Sequence, residues 1–205
     1  MSPQTACRTL ILTTAALCAC SEAPERVPAG GPGASTQRPQ PGAGQTPASA
    51  PVELVFPAQE GWIEEPPSNS MRKAQFRLPA AEGDTDDATL VVFFFPNGGS
   101  WEANVQRWCG QLSQPDGSST FDKAVMSSRT VAGLPAREVE VGGTFVAETT
   151  PGSGERVNKP DWTLLAAAIE GPRGSWFPKL VGPEKTVAHW RASYRQFLGA
   201  IHAAE

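Results

Sequence analysis

The sequence predicts an α+β domain, an antiparallel sheet covered by two helices, and three observations predict it. Ala88–Phe95 (ATLVVFFF) and Trp162–Ile169 (WTLLAAAI) are apolar without alternation, the pattern of strands buried on both faces. Two other stretches, beginning at Trp101 and at Val187, carry apolar residues at helical spacing and can supply the cover. Short Gly- and Pro-containing segments separate neighbouring strand runs, which favours hairpins over long crossovers.

Taken in order, Val52–Phe56 is a short apolar run ended by Pro57 and reads as a first strand. Met71–Leu78 sets Ala74, Phe76 and Leu78 on one face and Lys73, Gln75 and Arg77 on the other, a half-solvated strand. After the central run Ala88–Phe95, Ser100 can cap a helix whose Glu102 suits the positive end of the dipole. Its Trp101, Val105, Trp108 and Leu112 recur on one stripe. Lys123–Val131 and Ala136–Ala147 flank Gly133-Leu134-Pro135 as one hairpin, and Gly171-Pro172-Arg173-Gly174 joins Trp162–Glu170 to Ser175–Val181 as another. Pro183 suits the first position of a closing helix, with Val187, Trp190, Tyr194, Phe197, Leu198 and Ile201 along one face. Helices on both sides would make a sandwich; both on one side would leave an aromatic sheet face open as a binding surface.

This domain occupies 52–205 of a 205-residue chain and holds all six Trp and all nine Phe. With Arg8, Arg26, Arg38, Glu22 and Glu25 outside it, the domain keeps 14 basic and 19 acidic residues, a net charge of −5. An acidic domain disfavours nucleic acid, and no nucleic-acid partner is expected. Four Cys are too few for a dense disulfide scaffold, and no run of apolar residues is long enough to span a bilayer. Residues 20–51 differ sharply: Pro, Gly and Ala dominate Ser21–Pro51 and Val27 is its only large aliphatic, so the segment reads as a disordered tether. Such a tether spans about 30 Å if flexible and roughly 95 Å if Pro holds it extended.

Residues 1–19 read as a signal peptide, with Arg8 followed by a short apolar run from Thr9 to Ala19. Leu17-Cys18-Ala19-Cys20 resembles the lipobox of bacterial lipoproteins. The resemblance implies that Leu17 and Ala19 are recognition positions and that Cys20 is lipidated and becomes the new N-terminus. An ordinary secretory signal cut near Ala19 would export the chain equally. The expected location is therefore outside the cytoplasm, membrane-anchored, at the periplasmic or outer-membrane face, with the membrane as partner through the lipid and an envelope protein as a further candidate partner.

The candidate chemistry is sparse. Cys109 is the only Cys of the domain, and a thiol enzyme would pair it with His189 or His202. On a helical wheel Cys109 lies about 65° from the centre of its apolar stripe, His189 about 120° and His202 about 100° from theirs. That favours a structural thiol at the core edge. Glu82-Gly83-Asp84-Thr85-Asp86-Asp87 gathers carboxylates that could hold a hard cation or could keep a loop soluble, and it lacks the EF-hand pattern. Asn97-Gly98-Gly99-Ser100 leads from strand to helix without the Lys of a phosphate loop and reads as a turn and cap. Trp62, Trp176 and Phe177 are the aromatic residues open to a binding role, against the alternative of core packing. No catalytic residues, metal ligands or cofactors are assigned, and an envelope enzyme using Cys109 or a metal at the acidic loop is the rival reading.

The order of strands, a helix after the third strand and a long closing helix resembles the PsbP-like fold, including its DcrB-like members. The resemblance rests on FFFPNGGSWEANVQRW (Phe93–Trp108) and WFPKLVGPEKTVAHWRASYRQFLGAI (Trp176–Ile201). It implies an α/β/α sandwich acting as a non-catalytic accessory or binding module, with no site residues carried over.

Overall fold

The computed structural model describes residues 53–148 and 154–204, all within the second of two units into which the chain divides, 45–205. The segments expected to be a signal peptide and a tether, with Leu17, Ala19 and Cys20, lie outside the described residues. The strands are β1 (Leu54–Val55), β2 (Ile63–Glu64), β3 (Arg72–Leu78), β4 (Ala88–Phe95), β5 (Leu112–Ser113), β6 (Val125–Val131), β7 (Leu134–Phe145), β8 (Lys159–Gly171), β9 (Gly174–Pro183) and β10 (His202–Ala203). Helix α1 (Trp101–Cys109) follows β4, and α2 (Glu184–Ala200) follows β9.

All strand pairs are antiparallel, in the order β2-β3-β4-β9-β8-β7-β5 with β6 also on β7. The two unalternating apolar runs, β4 and β8, lie inside this order. Because successive strand residues point to opposite faces, β8 sends Leu165, Ala167 and Ile169 to one core and Leu164, Ala166 and Ala168 to the other. Helix α2 closes the first core with Val187, Tyr194, Phe197 and Leu198, and α1 closes the second with Trp101, Val105, Trp108 and Cys109. The fold is the predicted α+β class: an antiparallel sheet with one helix on each face. The single-sided arrangement is excluded by those two separate clusters.

Several boundaries differ from the sequence expectation for physical reasons. Leu112 continues the helical stripe in sequence but belongs to β5, because α1 ends at Cys109 with Gly110 as its cap. The first hairpin turns at Ala132-Gly133, both at positive φ (50° and 77°), while Leu134 and Pro135 are already paired with Val131 and Thr130. Two residues at positive φ match the right-handed twist of the flanking strands, and Gly supplies one of them without strain. The Val52–Phe56 run does not join the main sheet: β1 pairs with β10, Leu54 opposite Ala203. At Gly182, where β9 passes β4, a Cβ would fall 2.5 Å from that of Ala88, so position 182 has no room for a side chain.

The start of α2 is held from a distance. Pro183 is its N-cap and offers no side-chain acceptor; instead Asp84 Oδ2 accepts hydrogen bonds from Thr186 N (2.8 Å) and Thr186 Oγ1 (2.7 Å). A carboxylate at the positive end of the helix satisfies donors that would otherwise be buried without partners. Thr186 Oγ1 in turn accepts from Ala81 N at 3.0 Å, which fixes the β3–β4 loop to the helix.

Candidate functional site

The aromatic residues singled out in the sequence are core residues, and this corrects the idea that they form a surface. Trp62 is 8%, Trp176 6% and Phe177 3% exposed. Trp62 packs on Phe76 and Phe197 beneath α2, Trp176 on Phe94 at 4.9 Å on the same face, and Phe177 on Trp108 and Phe95 on the opposite face. Neighbouring residues Trp176 and Phe177 divide between the two cores because the strand alternates.

The rival chemistry does not assemble either. Cys109 is buried under α1, where loss of solvation pushes its thiol up from its ordinary value. His189 and His202 belong to α2 and β10, on the other side of the sheet, so no Cys-His pair forms. The acidic loop disperses its carboxylates. Asp84 caps α2, Asp86 takes Lys159 Nζ at 2.9 Å, and Asp87 takes Arg77 at 2.8 Å and Ala80 N at 2.8 Å. The Arg77 guanidinium holds the Asp87 carboxyl below its ordinary value. Ser100 caps α1 as expected, accepting from Ala103 N at 3.1 Å, and Asn104 Nδ2 closes the preceding turn on Gly98 O and Ser100 O.

What the fold does gather is a group of cations. Helix α1 covers β7, β8 and Phe177 of β9, and leaves the β3–β4 part of that face to Val91, Phe93 and Phe95. Strand register places Lys179 beside Val91, and Arg72 opposite Phe93, with Phe93 beside Phe177. The Arg72 guanidinium lies 5.7 Å over the Phe93 ring, and Phe93 and Phe95 stack at 6.2 Å, both half-buried. Arg107 joins from the exposed side of α1, and Gln111, one turn further on, accepts from Lys179 Nζ at 3.0 Å.

None of these three cations has a carboxylate partner among the described residues. Arg72 Nη1 donates to Gln75 Oε1 at 2.6 Å, and its Nε is buried with no partner; Arg107 Nη2 donates to Asn104 Oδ1 at 2.6 Å. Glu65 is taken by Gln75 Nε2 at 2.8 Å and by Arg77 at 3.2 Å. Burial first, then the charges of Arg107 and Arg72, pull Lys179 down to about 8. A neighbouring cavity of about 440 Å³ is lined by Phe95, Pro96, Gly98, Ala103, Asn104 and Arg107, and Arg107 is the cation of the three that reaches it.

Sequence reasoning missed this corner because residues 72, 107 and 179 are far apart in the chain. One signal was present: period-two arithmetic along β9 puts Lys179 on the same inward face as Phe177 and Val181, and an inward lysine in a covered strand is unusual.

No protein-family model matches the chain, and no curated protein matches it. Solved structures similar in chain path include the following three. One is LpqN of Mycobacterium tuberculosis, described as involved in cell envelope biogenesis, at 11% identity and TM-score 0.45 over 77% of this chain and 88% of that one. Another is PA94 of Pseudomonas aeruginosa, a protein of unknown function, at 16% identity and TM-score 0.42 over 73% and 94%. The third is the cyanobacterial PsbP of Synechocystis sp. PCC 6803, at 10% identity and TM-score 0.42 over 80% and 98%. Likeness at this level carries no functional weight, and the cationic corner stands on its own residues.

Proposed function

We propose that this chain is an exported, lipid-anchored binding or accessory protein of the bacterial cell envelope that works without catalysis, with the cationic corner as its binding surface. One observation carries the binding role: Arg72, Arg107 and Lys179 meet on one sheet face with no carboxylate partner among the described residues. Like charges gathered in a half-desolvated position weaken the fold, so their presence is accounted for by something that binds there. The anchor is argued from Leu17-Cys18-Ala19-Cys20 and the Pro/Gly/Ala-rich segment after it. Two or more acyl chains at about 0.8 kcal/mol per buried CH₂ hold a protein to a bilayer where a single chain is marginal.

The test of the anchor is membrane partition of the exported chain. Cys20→Ala is expected to move the protein from the membrane fraction to the soluble fraction and to leave an uncleaved or differently cleaved precursor. Unchanged partition of that variant would remove the lipoprotein reading.

A further inference from the structure

We propose that the cationic corner binds a phosphate group carried on an apolar body, the phosphate held by Arg72, Arg107 and Lys179 and the body lying along Phe93 and Phe95. This deepens the binding role proposed above and rests on it. The charge requirement comes first. Three cations without a carboxylate call for an anion of more than one charge, and a phosphate monoester supplies up to two charges and three acceptor oxygens. The donor set suits those oxygens: one guanidinium comes from β3, over Phe93, one from α1, a turn before the Gln111 that holds Lys179, and the ammonium comes from β9. Arg72 Nη2 and Arg107 Nη1 make no hydrogen bond among the described residues, and Lys179 Nζ has Gln111 Oε1 as its one protein acceptor there, which leaves donors free for the ligand.

The apolar requirement comes from the floor. Phe93 and Phe95 form a stacked, half-buried strip that continues to Phe177 at 5.9 Å, and the strip leads from the cations toward the cavity lined by Phe95 and Arg107. A bare phosphate would satisfy the cations and leave this strip wet. A phosphate with an aliphatic or aromatic body covers both, and the area it removes from water adds to affinity. Two carboxylates near β3, Glu65 and Asp87, pair with Arg77 and not with a cation of the corner, so the three cations keep their charge for an incoming anion.

The experiment is titration calorimetry on the full chain carrying Cys20→Ala and produced without export, so that no covalent lipid competes. Three probes are compared: a single-chain lysophosphatidate below its micelle concentration, inorganic phosphate, and lysophosphatidylcholine, which has the same chain with its charge neutralised. The lysophosphatidate is expected to bind at least tenfold more tightly than either of the others. Arg107→Gln, an exposed change, and Lys179→Met are each expected to weaken it about tenfold, with thermal midpoints recorded to show that both variants fold. Equal binding of inorganic phosphate would overturn the apolar half of the proposal, and equal binding of lysophosphatidylcholine would overturn the charge half. Binding of none of them, or binding indifferent to both substitutions, would overturn the site. None of these results bears on the anchor, which is decided by membrane partition of the native chain.

Discussion

At Lys179 burial and charge oppose each other, and the opposition has a measurable sign. Its folded-state pKa of about 8 lies below the ordinary 10.5. Between those values the unfolded chain holds a proton that the folded chain does not, so this residue makes stability rise with pH from about 8 to 10.5. Below about 8 both states are protonated and the full penalty is present. Lys179→Met is therefore expected to be more stable than the parent at pH 7, by a margin that shrinks as pH approaches 10. Urea denaturation of both proteins across that range measures it; a margin independent of pH would contradict the assignment. The same residue shows where sequence reading stopped. Lys179 could be placed on an inward face by counting along β9, but Arg72 and Arg107 reach it only through the β3-β4-β9 order and the crossing of α1, neither of which is written in local spacing.

Among the elements, those carrying long uninterrupted signals were legible. Ala88–Phe95 is a strand with the expected bounds, Trp162–Ile169 lies within β8, and Gly171 pairs Gly174 across the expected turn. Short elements were not legible: β2, β5 and β10 have two residues each, too few for any period to show. The closing helix gives the sharpest energetic contrast. Phe197 is fully buried and its ring meets Phe56, Trp62, Phe76 and Tyr194, whereas His189 is exposed and touches the edge of Trp190. Phe197→Ala is expected to cost about 3–5 kcal/mol and His189→Ala under about 0.5 kcal/mol. Chemical denaturation followed by Trp fluorescence compares them; a mild Phe197→Ala would mean that α2 does not seal its side of the sheet.

For the whole molecule, the proposed function divides the chain into an address, a spacer and a folded unit, and only the last has a composition rich enough in large apolar residues to build a core. Deleting Ser21–Pro51 is accordingly expected to leave the thermal midpoint within about a degree or two, since the composition of the segment offers almost no large apolar side chain to bury. A large fall, read by circular dichroism, would show that the spacer packs on the domain. The pairing of β1 with β10 adds a mechanical property. Leu54 and Val55 lie against Ala203 and His202, and Ala204 N donates to Glu53 O at 2.7 Å, so the beginning and the end of the folded unit are stitched side by side. If the proposed ligand holds the protein while the proposed leash is pulled, the load enters at residue 53 and meets this two-residue ladder before it reaches the eight-stranded sheet. Such a short ladder can part first and lengthen the leash by a few residues, sparing both cores, much as a seam gives before the cloth.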